Sequence, residues 1–172
     1  YRKLLLRKEC LIMPIIKLKT FIKAPIDMCF DLARNVEIHT KTTSHTNERA
    51  VGGVTTGLLK KGDEVIWEAI HLGIKQRLTA KISEMDEPYT FTDVMVKGAF
   101  HSFTHTHSFV EKDNGTIMKD YFEYQSPFGI IGQLADKLFL QKYMTWFLVT
   151  RANELKKIAE METIVMNKIQ LG

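Results

Sequence analysis

The stretch Phe100-His101-Ser102-Phe103-Thr104-His105-Thr106-His107-Ser108-Phe109 carries the densest chemistry in this 172-residue sequence, including three of its six histidines. In an extended strand alternate side chains share a face. His101, Phe103, His105, His107 and Phe109 therefore fall on one side, and Phe100 with four small hydroxylic residues on the other. The Phe/His side is expected to face a helix and a cavity; the opposite orientation, with the histidine row in water, stays open. Inward imidazoles have three uses. They can sit in structural hydrogen bonds, because buried polar groups are normally satisfied. They can orient a ligand in an apolar pocket. His105 and His107 can also offer two nitrogens to zinc or iron, with a third ligand drawn from Glu123, Asp93 or His101. No spacing enforces that third ligand, so neither a stoichiometric metal nor a cofactor is expected.

Other segments supply isolated candidates. Trp67 shares a strand face with Val65, Ala69 and His71. A large indole on a concave face belongs to a core or to a pocket wall. Phe91, Asp93 and Met95 form another same-face set, in which the carboxylate is the odd member. Arg151, beside Leu148 and Leu155 on a helix face that also carries Met144, is the cation it is expected to pair with. Nucleophilic catalysis has little support: Cys10 and Cys29 lack a local motif, and no G-x-S-x-G elbow is present. Asp93 and Glu123 could act as acid and base with a histidine, but nothing in the spacing sets their separation. Gly52, Gly53 and Gly57 do not make a phosphate loop.

The elements that must position these groups follow from periodicity. Ile16, Leu18, Thr20 and Ile22 alternate with lysines over 15–23, which predicts a half-buried strand. Pro25 then opens a short helix, and 35–41 is a second. After a short strand at 49–51, five strand candidates occupy 64–72, 74–86, 89–97, 100–111 and 116–125. Their breaks are short, and Asn114-Gly115 is a strong tight-turn signal, so the sheet is expected to be an antiparallel meander. From Ile130 to about Glu160 one long helix presents Leu140, Met144, Phe147, Leu148, Ala152, Leu155 and Ala159 on a single face. Phe139, Tyr143 and Trp146 form a second stripe, a candidate surface for a homodimer.

This order, an α+β chain with a curved antiparallel sheet wrapped around a long C-terminal helix and two short helices after the first strand, resembles the START-like (SRPBCC) superfamily. That superfamily includes Bet v 1-type, lipid-transfer and polyketide cyclase-like proteins. The opening "KLKTFIKAPIDMCFDLARNVE" is similar to its usual strand-then-helix start. The stretches "GDEVIWEAIHLGIKQRLTAKISEMDEPYTFTDVMVKGAF", "HTHSFVEKDNGTIMKDYFEY" and "SPFGIIGQLADKLFLQKYM" look like a bacterial subgroup. The resemblance implies a helix-grip fold with an internal cavity for an apolar ligand. It does not imply one activity.

Composition agrees with a single globular domain: 45% hydrophobic, 26% charged and a net charge of +4. The charges are interspersed, and Lys75, Arg77 and Lys81 read as a solvated outer strand face, so no nucleic acid is expected. No apolar run approaches the length of a membrane span. The cysteine usage fits a cytoplasmic protein. The domain is expected over 13–160, with 1–12 as an extension outside it and 161–172 as a short helical or frayed tail. The leading expectation is a binding or carrier protein for a small apolar molecule. Its site would draw on the residues named above: Trp67, His71, Phe91, Asp93, Met95, Phe103, His105, His107, Phe109, Met144, Leu148 and Arg151. The rivals are a cyclase- or hydrolase-like enzyme using the same cavity, and a protein-interaction or regulatory module.

Overall fold

A computed structural model describes residues 13–126 and 139–170. The chain runs β1 (Ile15–Ile22), α1 (Ile26–Ala33), α2 (Val36–Thr42), a 3-10 turn (Ser44–Thr46), β2 (Arg49–Gly53), β3 (Glu64–His71), β4 (Ile74–Asp86), β5 (Thr90–Lys97), β6 (Ser102–Lys112), β7 (Gly115–Gln125) and α3 (Gln141–Gln170). The seven strands form one antiparallel sheet in the order β1-β7-β6-β5-β4-β3-β2. Strands β2 to β7 are thus a meander, and β1 closes back onto β7. The expected extension at 1–12, Cys10 and the expected helix start at Ile130 lie outside the described residues.

Local chemistry accounts for the elements. In β1, Ile16 and Ile22 are buried while Lys17 and Lys19 are exposed, so the alternation is realised as one wet and one dry face. Pro25 caps α1 with φ −59°, a value its ring already imposes. The Asn35 side chain accepts the Ile38 N–H at 2.9 Å and starts α2. The β6–β7 turn differs in detail from the expected Asn-Gly turn. Lys112 pairs with Gly115, so its central residues are Asp113 and Asn114, with φ of 50° and 59°. Gly115 is the first strand residue instead. A Cβ there would meet the Ile22 carbonyl oxygen at 2.5 Å, so close approach to β1 demands glycine.

Helix α3 lies across the sheet and buries Met144, Phe147, Leu148, Arg151, Ala152, Leu155 and Ala159. Lys156 Nζ donates to the Phe21 carbonyl at 2.7 Å, and the Lys23 N–H donates to Glu160 at 2.9 Å, which ties the helix to β1. The helix does not stop near Glu160 as the pattern suggested. It continues to Gln170, and over 161–169 every side chain except Thr163 is exposed. Helical propensity there outlasts the amphipathic pattern, because hydrogen bonding within a helix needs no core beneath it. Helix α1 seals one end of the grip: Phe30 meets Phe91 and Phe109 edge-on, each at 5.6 Å between ring centroids.

Candidate functional site

Between the inner sheet face and α3 the core is incomplete, and a cavity of about 370 Å³ remains. Most of its wall is apolar, with Trp67, Phe91, Phe103 and Phe122 from the sheet and Met144, Phe147 and Leu148 from the helix. Ten of the twelve expected site residues line it; Met95 and Phe109 do not. Phe109 is only 1% exposed and packs in the solid core on Phe30. Met95 is half-buried and lies against Gly98 at the end of β5. His101, expected on the inner face of its strand, is exposed and precedes β6, which begins at Ser102.

Strand register builds the first polar cluster. Asp93 of β5 stands opposite His105 of β6, and His107 stands opposite Asp120 of β7. The side chains then reach diagonally. His107 Nε2 lies 3.3 Å from Asp93 Oδ1, and His105 Nε2 lies 3.2 Å from Asp120 Oδ1. His107 Nδ1 is 2.8 Å from the same Asp120 oxygen, at an angle too oblique for a hydrogen bond. The two imidazoles are 3.9 Å apart between centroids. Arg151 faces this group from α3. The expected Asp93–Arg151 ion pair is absent among the described residues: Arg151 donates to the Ala33 carbonyl at 3.2 Å, and its charge reaches Asp93 only at longer range.

Burial and neighbours divide the protons within the cluster. Burial works to raise both aspartates, but their histidine bonds and the surrounding positive charge override it, and both are held below the usual carboxylate value. Burial lowers His105, and the charge of His107 lowers it further. Burial also works against charged His107, but contact with Asp120 and Asp93 outweighs it and raises that imidazole.

A second polar group stands at the β3 side, three strand spacings away from β6 in the sheet. Its centre is Glu48, buried just before β2, with Oε2 3.4 Å from His39 Nε2. The His39 ring stacks on Trp67 at 4.1 Å, and His71 Nδ1 meets the Tyr143 hydroxyl at 2.8 Å. Burial works to raise Glu48, yet the charges of His39 and His71 and a bond from Thr43 leave it lowered. His71 is lowered, chiefly by burial and against the pull of Glu48. Tyr143 therefore belongs to the cavity wall, while Phe139 and Trp146 of the same expected stripe are about half exposed.

On the outer face, Glu68 is covered by Arg49, Lys75 and Arg77 at 2.7, 3.1 and 3.0 Å, so three cations share one carboxylate. Among the described residues no helix is long and apolar enough to cross a membrane.

No family model matches the chain, and no curated protein sequence matches it. Solved structures do. TTHA0849 from Thermus thermophilus superposes with a TM-score of 0.70 at 21% identity, over 84% of this chain and 95% of that one. Ginseng major latex-like protein 151 from Panax ginseng gives 0.64 at 17%, over 86% and 97%. A START superfamily protein from Mycobacterium smegmatis gives 0.67 at 11%, again over 86% and 97%. The chain has the START-like helix-grip fold.

Several groups at the centre of this helix-grip fold carry no motif that singles them out in the sequence. Asp120 was within reach of periodicity, because period two places it on the face of Phe122 and Tyr124, both buried. Glu48 and His39 had no such signal. One sits in an irregular connection and the other on a helix of seven residues, and only the closure of α2 over β3 brings them together.

Proposed function

We propose that this domain binds a small, largely apolar molecule in the space between its sheet and α3, with a polar group recognised at each side. The observation that carries this reading is the combination of an apolar-walled cavity with buried polar atoms lacking a hydrogen-bond partner among the described residues. Arg151 Nε and Glu48 Oε2 are two such atoms, the second having only its 3.4 Å ion-pair contact with His39, and both residues line the cavity. Leaving a buried polar group unpaired costs about 1–3 kcal/mol, so a site that bears two is suited to a partner that supplies the missing bonds. The volume falls within the range of about 300–1,000 Å³ usual for small-molecule sites. The START superfamily likeness supports the same reading at the level of fold.

The ligand is accordingly a compound with an apolar body, a hydrogen-bond acceptor for Arg151, and a donor for Glu48. The test is native mass spectrometry of the protein purified from its own host, followed by organic extraction. A bound compound released on unfolding, and a saturable site for 1-anilinonaphthalene-8-sulfonate that it competes for, are the expected results. A chain that carries nothing and takes up no probe would refute the proposal. Turnover of the extracted compound would instead identify an enzyme built on the same cavity.

A further inference from the structure

We propose that Asp93, His105 and His107 bind a divalent first-row transition metal of the zinc or iron class, held at the wall of the cavity with Asp120 as the carboxylate beside both imidazoles. The spacing of the two histidines left the third ligand open; the sheet supplies it. Each of the three residues presents a ligand atom, and all three atoms lie within 4.8 Å of one another. Glu123 and His101, the other candidates, are not available. His101 precedes the strand, and Glu123 pairs with Ile15 and alternates out of the face that holds Phe122 and Tyr124.

The geometry favours metal. His105 turns Nε2 to Asp120 at 3.2 Å, which leaves its Nδ1 as the ligand atom. His107 has the same Asp120 oxygen beside Nδ1 at 2.8 Å, and its Nε2 faces the Asp93 carboxylate. A cation seated between that nitrogen and the carboxylate would take the place of this contact. The separation there is 3.3 Å, longer than the roughly 2.7–2.9 Å of a charge-assisted N–H···O bond. Two ligands about 2.05 Å from a tetrahedral metal lie about 3.3 Å apart, which matches. A carboxylate behind each ligating histidine is the arrangement that fixes tautomer and ring orientation at metal sites.

Charge agrees. Asp93 and Asp120 against Arg151 leave one negative charge when both histidines are neutral, so a dication turns the site positive towards the cavity. Three protein ligands leave a coordination position open, and all three line the cavity. The open position is suited to an oxygen donor on whatever occupies that space.

The experiment uses the full-length, tag-free chain, stripped with a chelator and titrated with Co(II), whose visible bands report its coordination. Zn(II), and Fe(II) without air, are then ranked as competitors. One equivalent per chain, displaced by either metal, is expected. Asp93→Asn and His107→Ala should each weaken binding at least about tenfold, and Asp120→Asn about 10–100-fold without changing the one-site stoichiometry. Circular dichroism and thermal unfolding of the metal-free variants separate a lost site from a lost fold. Wild type that takes up neither metal at millimolar concentration overturns the proposal whatever the variants do. So does uptake that survives in the folded His105→Ala/His107→Ala protein. Metal titration needs no organic ligand, so its failure is distinct from failure of the proposed binding function.

Discussion

Two phenylalanines of the same strand allow the cavity to be measured as energy. Phe103 and Phe109 are 6% and 1% exposed and point to the same side of β6, but only Phe103 lines the cavity. Phe109 meets Phe30 and Phe91 and has protein on every side. Truncating it loses both the transfer energy of the ring and the packing around the hole left behind, together about 3–5 kcal/mol. Truncating Phe103 loses the transfer part, about 1.5–3 kcal/mol, because the ring already lacks neighbours on one side and its removal only widens an existing space. Phe103→Ala should therefore be about 2 kcal/mol less costly than Phe109→Ala, or roughly 4–8 °C in Tm for a domain of this size. Urea unfolding at equilibrium gives the two free energies, and fluorescence titration with 1-anilinonaphthalene-8-sulfonate gives probe affinity. Phe103→Ala should shift probe affinity, whereas Phe109→Ala, measured where it is folded, should leave it near wild type. Equal losses of stability, with no change in probe binding for Phe103→Ala, would show that the region is solid core.

Three further outcomes are expected. Glu48 and His71 are both lowered in the folded chain, from ordinary values of 4.5 and 6.5. The unfolded chain then takes up their protons first, so the stability they contribute is present above those ordinary values and is lost as pH falls through the lower folded ones. Denaturation at pH 7, 5 and 4 should show a shallower fall for Glu48→Gln than for wild type, and an equal fall would refute the assignment. Asn35→Ala removes the cap of α2 and should lower stability by about 0.5–2 kcal/mol, read as a drop in Tm; no change would mean the cap is idle. A chain beginning at Met13 should keep its fold, and a fall in Tm beyond about 8 °C would show that 1–12 contributes roughly 2 kcal/mol or more.

The elements of this protein are written locally. The alternation in 15–23, the short breaks between 64 and 125, and the apolar face of 140–159 each depend on residues a few places apart. Such patterns place every strand and predict the inward face of His105 and His107, which are 6% and 2% exposed. The same period would have exposed Asp120. Distances across the chain are another matter. Whether Asp93 would meet Arg151 or His107 depended on strand register and on how high α3 rides above the sheet. The register delivered the histidine, and the helix height left Arg151 bonded to Ala33 instead. His39 came to stack on Trp67 and to meet Glu48 only when α2 closed over β3. Tyr143 belonged by spacing to an exposed stripe, and its bond to His71 turned it to the cavity. Periodicity assigns a residue to a face, because that is decided by backbone geometry within one element. Which groups share a site is decided by the packing of separate elements, and no local spacing encodes that.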